Sequence, residues 1–164
     1  AAKRAGVSHA APAHHFRDAN ALLDALAAAG FARLTAAMKE EQAKADGGGK
    51  AQLTAAGIGY VRFAFENREL LQLMFGTSRA RGDDADLQRN SEAAFSVLVN
   101  GVGQLRGREV FRGEAGWRDV AACWSMVHGY AQLAVAGKME FVTGLDFDEQ
   151  RDLIADLLRR ALPA

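Results

Sequence analysis

Cysteine is almost absent from this chain. Cys123 is the single one in 164 residues, which excludes an intrachain disulfide and fits a reducing cytoplasm. It sits in an apolar stretch, the setting of a buried, inert thiol rather than of a nucleophile. Proline is nearly as scarce: Pro12 and Pro163 leave almost everything between them free to be helical. Runs of β-branched residues are missing while alanine and leucine dominate, so the expected class is all-α. Neither charge sign is in excess, with 20 Lys and Arg against 20 Asp and Glu, which argues against a strongly basic nucleic-acid binder.

The start lacks a signal peptide, since Lys3 and Arg4 lead into histidines rather than an apolar run. No long apolar span stands out. Val120 to Gly137 is free of charge but contains Ser125, His128 and Gln132 and falls short of the roughly 20 apolar residues a span needs. A helix buried between protein partners is expected there, with no membrane partner. Catalytic patterns are missing too: no paired carboxylates, no Glu-x-x-His on a helix, no Ser-His-Asp cue and no phosphate-binding loop. An enzyme is not expected, nor a cofactor. A metal is not expected either: His14 and His15 diverge by about 100° on a helix, and His14 with Asp18 has no further ligands nearby.

What is present is the balance of a folded protein, 49% apolar and 24% charged residues. The charge is unevenly placed. Through Arg17 the chain has Lys3, Arg4 and Arg17 and no acid, and His9, His14 and His15 lie there too; the first carboxylate is Asp18. A locally positive tip on a neutral body suits a protein that touches phosphate at one end.

Helical periodicity organises the rest. Gly6-Val7-Ser8 reads as a turn with Ser8 capping a short helix over 9–16. Asp18 caps the next helix, running to about Ala45, with Ala27, Phe31, Leu34 and Met38 on one face and a solvated polar tail from Lys39 to Lys44. Gly47-Gly48-Gly49 is a hinge or linker. Further helices are expected over 50–66, over 70–75 with Asn67 as cap, and through Leu87 to Leu105. Loops at 77–83 and 107–116, the second long enough to be mobile, separate these from helices over 117–138 and 147–162. Asp146 and Glu149 suggest a capping box on the last helix.

Ala2-Lys3-Arg4-Ala5-Gly6-Val7-Ser8, closed by His15-Phe16 and followed by Leu22-Leu23, resembles the second half of the TetR-family helix-turn-helix. Glycine makes the tight turn, Val7 plugs the small core, Ser8 caps the recognition helix and Phe16 anchors it to the connecting helix. Trp124-Ser125-Met126-Val127-His128-Gly129 resembles the Trp-x-x-x-His-Gly signature of one branch of that family's regulatory domain. Together the two cover essentially the whole chain.

The resemblance implies half of a helix-turn-helix DNA-binding domain over 1–20, joined to an all-helical effector-binding and dimerisation domain over 21–164. About 30 further residues would stand upstream, carrying the first helix. It implies an effector-responsive regulator, most often a repressor, binding operator DNA as a homodimer whose last two helices pair in a four-helix bundle. Two departures weaken the expected grip on DNA backbone: Ala13 stands where the family usually has tyrosine, and Ala19-Asn20 where it usually has lysine-glutamate. The alternative is a helical ligand-binding and dimerisation module that has lost DNA binding.

On this basis Lys3, Arg4, Ser8, His9, Ala10, His14 and His15 are the candidate DNA contacts. Tyr60, Phe63, Met74, Phe75, Phe95, Trp124 and His128 are candidates to line an effector pocket, though aromatic and methionine residues at helical spacing also build ordinary core. Trp124 and His128, one turn apart, read equally as pocket lining or as a core tryptophan with a hydrogen-bonded core histidine. An apolar pocket favours a largely hydrophobic effector with one polar group met by His128 or Tyr60. Ala121, Ser125, Gly129, Leu153, Leu157 and Leu158 are the candidate dimer interface.

Overall fold

The structure, a computed structural model, describes residues 16–76 and 84–161, apart from the side chains of residues 110, 143, 147 and 161. The candidate DNA contacts Lys3, Arg4, Ser8, His9, Ala10, His14 and His15 lie outside these residues, as does the 77–83 loop. Among the described residues the regular elements are helices: α1 (Ala19–Lys44), α2 (Gly49–Glu66), α3 (Arg68–Phe75), α4 (Ala85–Arg106), α5 (Ala115–Val135), α6 (Glu140–Thr143) and α7 (Phe147–Ala161). The short α6 carries no periodic signal of its own and was not expected from the sequence.

Local chemistry accounts for most helix ends. Asp18 caps α1, its Oδ1 accepting from the Ala21 amide at 2.9 Å, and that bond is the main cause of a carboxyl pKa below the ordinary value. At α7 the capping box is reciprocal: the Glu149 amide donates to Asp146 Oδ1 at 2.9 Å and the Asp146 amide to Glu149 Oε2 at 3.0 Å. Asn67 behaves differently from the expectation. Its side chain makes no cap bond to α3 but turns back, Nδ2 donating to the Phe63 carbonyl at 3.0 Å and closing the end of α2. The 107–116 stretch is also more ordered than expected. Arg108–Arg112 forms a 3₁₀ turn, and Phe111 packs on Trp117 with ring centroids 5.2 Å apart.

The core is organised around α2, which packs against α1, α3, α4, α5 and α7. Every residue from Ala55 to Val61 is buried, so this helix has partners on all sides rather than one apolar stripe. Gly59 permits its crossing with α1. A Cβ there would stand 2.5 Å from the Ala37 carbonyl oxygen and 2.7 Å from Met38 Cα, with no flexible side chain to move aside. The α1 stripe of Ala27, Phe31, Leu34 and Met38 is buried against α2, α3 and α4. By length and composition α1 is also apolar enough to cross a membrane, but its inner face is built into this core.

Two expectations are corrected by packing. The Lys39–Lys44 tail is not uniformly solvated: Glu41 is 3% exposed. Its carboxylate meets Lys44 at 3.0 Å, Arg62 of α2 at 3.1 Å and Arg151 of α7 at 3.1 Å, so a residue read as surface ties three helices together. Burial of such a charge is tolerable because it is met by several cations and hydrogen bonds. Leu158, expected at a dimer interface, is 1% exposed within its own chain, wedged over Gly57 and near Val127. Area already removed from water cannot be buried again by a partner.

α5 has two faces. Val120, Cys123, Val127, Tyr130, Ala131 and Ala134 point into the chain, while Trp117, Ala121, Ala122, Trp124, Ser125 and Leu133 are exposed. Ala121 and Ser125 therefore lie on the open face, with Gly129 half-buried beside them. Leu153 and Leu157 of α7 are half-buried.

Candidate functional site: an apolar cavity between six helices

Six helices fail to close completely on one another and leave a cavity of about 360 Å³. From α1 come Phe31, Leu34 and Met38; from α2, Leu53, Ala56, Gly57 and Tyr60; from α3, Phe75. The rest of the wall is Ser91, Glu92, Ala94, Phe95 and Leu98 of α4, Cys123, Trp124 and Val127 of α5, and Leu158 of α7. The volume is at the lower end of the range for small-molecule sites, which are mostly apolar with a few placed polar groups.

The helical repeat explains which residues face the space. On α2, Leu53, Ala56, Gly57 and Tyr60 follow a 3-1-3 spacing and hence share one side. Gly57 deepens the hollow, because a Cβ there would come 2.7 Å from Leu158 Cδ1. Aromatic pairs brace opposite walls. Phe31 and Phe75 meet edge to face with centroids 5.4 Å apart, and Phe95 tilts against Trp124 at 5.3 Å. Trp124 is 43% exposed while also lining the cavity, and Glu92 is exposed beside a half-buried Ser91. The mouth therefore lies between α4 and α5.

One polar relay serves this apolar space. Tyr60 Oη and His128 Nδ1 are 2.7 Å apart, and His128 Nε2 lies 3.4 Å from Gln132 Nε2, with the Phe75 ring 4.5 Å from the imidazole centroid. Desolvation lowers the His128 pKa and raises that of Tyr60, so both groups are neutral at pH 7. When the Gln132 amide donates to Nε2, the imidazole proton sits on Nδ1 and is donated to the Tyr60 oxygen. The tyrosine's own proton is then free for an acceptor in the cavity. Cys123 contributes volume rather than reactivity: it is 1% exposed, and burial pushes its thiol up to about 11.

Of the residues singled out from the sequence, Tyr60, Phe75, Phe95 and Trp124 line the cavity. His128 stands behind Tyr60 and reaches the space only through it. Phe63 is 2% exposed in the packed core, and Met74 packs against the core as well; neither reaches the cavity wall. Phe31, Leu34, Met38, Cys123 and Leu158 do reach it and were not singled out as lining, because a stripe that faces a cavity and a stripe that faces core have the same periodicity. Among the described residues no cluster of three or more His, Cys, Asp or Glu side chains could hold a metal ion.

Residues 53–161 match the family described as tetracyclin repressor-like, C-terminal domain. A solved structure of a protein of unknown function from Rhodococcus sp. RHA1 is 36% identical, with a TM-score of 0.77, over 99% of this chain and 82% of that one. No curated protein matches the sequence.

Proposed function

Because the chain belongs to the tetracyclin repressor-like family through its C-terminal domain, we propose that it is an effector-responsive transcriptional regulator, acting as a repressor. In this reading residues 1–20 hold part of a helix-turn-helix head that reads operator DNA, and 21–164 form the effector-binding and dimerisation domain of a cytoplasmic homodimer. The observation that carries it is the dual position of α1. The helix follows directly on the candidate DNA-contacting segment in sequence, and further along it supplies Phe31, Leu34 and Met38 to the cavity wall. At 26 residues it is about 39 Å long. A ligand that pushes on its middle moves its N-terminal end, the geometry of a rigid element serving two sites.

The effector that suits the cavity is small and largely apolar, with one hydrogen-bond acceptor, such as a carbonyl or ether oxygen, directed at Tyr60. The aromatic walls supply contact area and the Tyr60–His128–Gln132 relay supplies orientation. With its thiol protonated and its histidine engaged, the site supports holding a ligand rather than turning one over. Homodimer formation is favoured by the open face of α5, where Trp117 and Leu133 are about half exposed among Ala121, Ala122 and Ser125. Gly129 of the same helix and the half-buried Leu153 and Leu157 of α7 are the further candidates for that interface.

The test is DNA binding by the full-length gene product, with the DNA flanking its own gene as probe, across a salt series and with or without a neutral apolar dye such as Nile red. Saturable, salt-sensitive binding by a dimer, weakened by a dye that Trp124→Ala no longer binds, is the expected result. Binding no tighter than to random DNA at low salt would favour the second reading, a ligand-binding dimer without operator recognition. Ala13 and Ala19-Asn20 are the observations behind that alternative.

A further inference from the structure

A second cavity, also of about 360 Å³, lies on the opposite face of α2. Ala51, Thr54, Ala55 and Ile58 form its floor, whereas Leu53, Ala56, Gly57 and Tyr60 face the apolar cavity. Its chemistry is the reverse of the first. The walls carry Lys44 from the end of α1, Lys50 from the first turn of α2, and Arg151 and Arg159 from α7, against one carboxylate, Glu41.

Ion pairs hold several of these cations. Glu41 is shared by Lys44, Arg62 and Arg151. Glu40 takes Lys44 at 2.8 Å and Arg62 at 2.8 Å, and Asp156 takes Arg159 at 3.5 Å while also binding Arg160. Among the described residues Lys50 makes no ion pair, and neither does Asp46, which stands before α2. The wall of this cavity thus carries four cations, Lys44, Lys50, Arg151 and Arg159, from three helices, against the one carboxylate of Glu41. The backbone adds to it. The N-cap of α2 is Gly48, which offers no side-chain acceptor, and the first turn of the helix holds no acid. The amides and the positive end of that helix dipole thus lie beside Lys50 and Ala51 on the cavity wall.

We propose that this cavity binds a soluble, phosphate-bearing small ligand, the dianionic phosphate sitting between Lys50, Arg159 and the start of α2. Guanidinium and ammonium groups on separate helices suit a compact oxyanion with several acceptor oxygens. Lys44 closes α1 at the end opposite Asp18, about 39 Å along the helix. Occupancy would link α7 to the α1–α2 junction, independently of the apolar cavity and of whether the protein recognises an operator.

The experiment is a titration of the protein, without DNA or apolar ligand, with inorganic phosphate and then pyrophosphate at ionic strength held constant with sodium chloride. Thermal unfolding and the backbone amide signals of Lys50, Ala51 and Thr54 are followed together. A saturable rise in melting temperature with shifts confined to those amides is expected. Lys50→Glu and Arg159→Glu change exposed side chains, so each variant still unfolds cooperatively without phosphate but binds it at least about tenfold more weakly. Trp124→Ala, at the other cavity, leaves phosphate binding unchanged. The proposal is overturned if neither anion gives a saturable response beyond that of chloride, or if Lys50→Glu and Arg159→Glu bind as the parent does.

Discussion

Leu158→Ala separates the two positions open to that leucine, an interface between subunits or the interior of one. The side chain is 1% exposed, lies over Gly57 and forms part of the cavity wall. Truncation forfeits the transfer free energy of the lost atoms, about 2 kcal/mol for most of a buried leucine. It also leaves a void bordering one that already exists, so the helices around it have little to collapse onto. Together these place the cost at about 3–4 kcal/mol, within the range for buried leucines. For a domain of this size that lowers the melting temperature by about 10 °C. Urea unfolding, followed by tryptophan fluorescence at two protein concentrations tenfold apart, reads it as a fall in midpoint with the slope unchanged. The difference from the parent should be the same at both concentrations, because the lost contacts are within one chain. A cost below about 1 kcal/mol, or one that shrinks markedly at the higher concentration, would refute the core placement and return Leu158 to the interface.

Three further outcomes follow from the same geometry. Burial lowers the His128 pKa in the folded chain, so the unfolded chain takes up the proton first, and stability should be full above about pH 6.5 and fall as pH drops below it. His128→Gln should flatten that part of the profile, and an unchanged slope would mean another group is responsible. Gly129 has open space where a Cβ would go, so Gly129→Ala should stabilise the isolated chain by about 0.5–1 kcal/mol while weakening the proposed dimer. Sedimentation at several concentrations decides this, and unaltered dimer affinity would remove Gly129 from the pairing face. Cys123, with its thiol near 11, should react with iodoacetamide at pH 8 at least roughly 100-fold more slowly than a free cysteine, recovering in denaturant; rapid labelling of the native protein would show that the cavity opens readily.

Residue pattern alone was sufficient wherever a feature depends on neighbours in sequence. The span of α1, the reciprocal cap joining Asp146 and Glu149, the break before Gly49 and the all-helical class follow from local hydrogen bonding, helix propensity and the 3.6-residue repeat, which act within a few residues. Contact across the core decided the rest. Glu41 is polar and flanked by charged residues, so nothing local distinguishes it from a solvated glutamate; only Arg62 and Arg151, brought from α2 and α7, make its burial tolerable. Phe63 and Tyr60 stand three residues apart on the same buried helix, yet one fills core and the other faces a hollow. A cavity is space that six separate segments leave unfilled, and its outline depends on how closely glycines such as Gly57 and Gly59 let those segments approach. The sequence by itself determined the helices and their apolar faces, because those depend on short-range geometry; the tertiary structure decided which faces meet matter and which meet space.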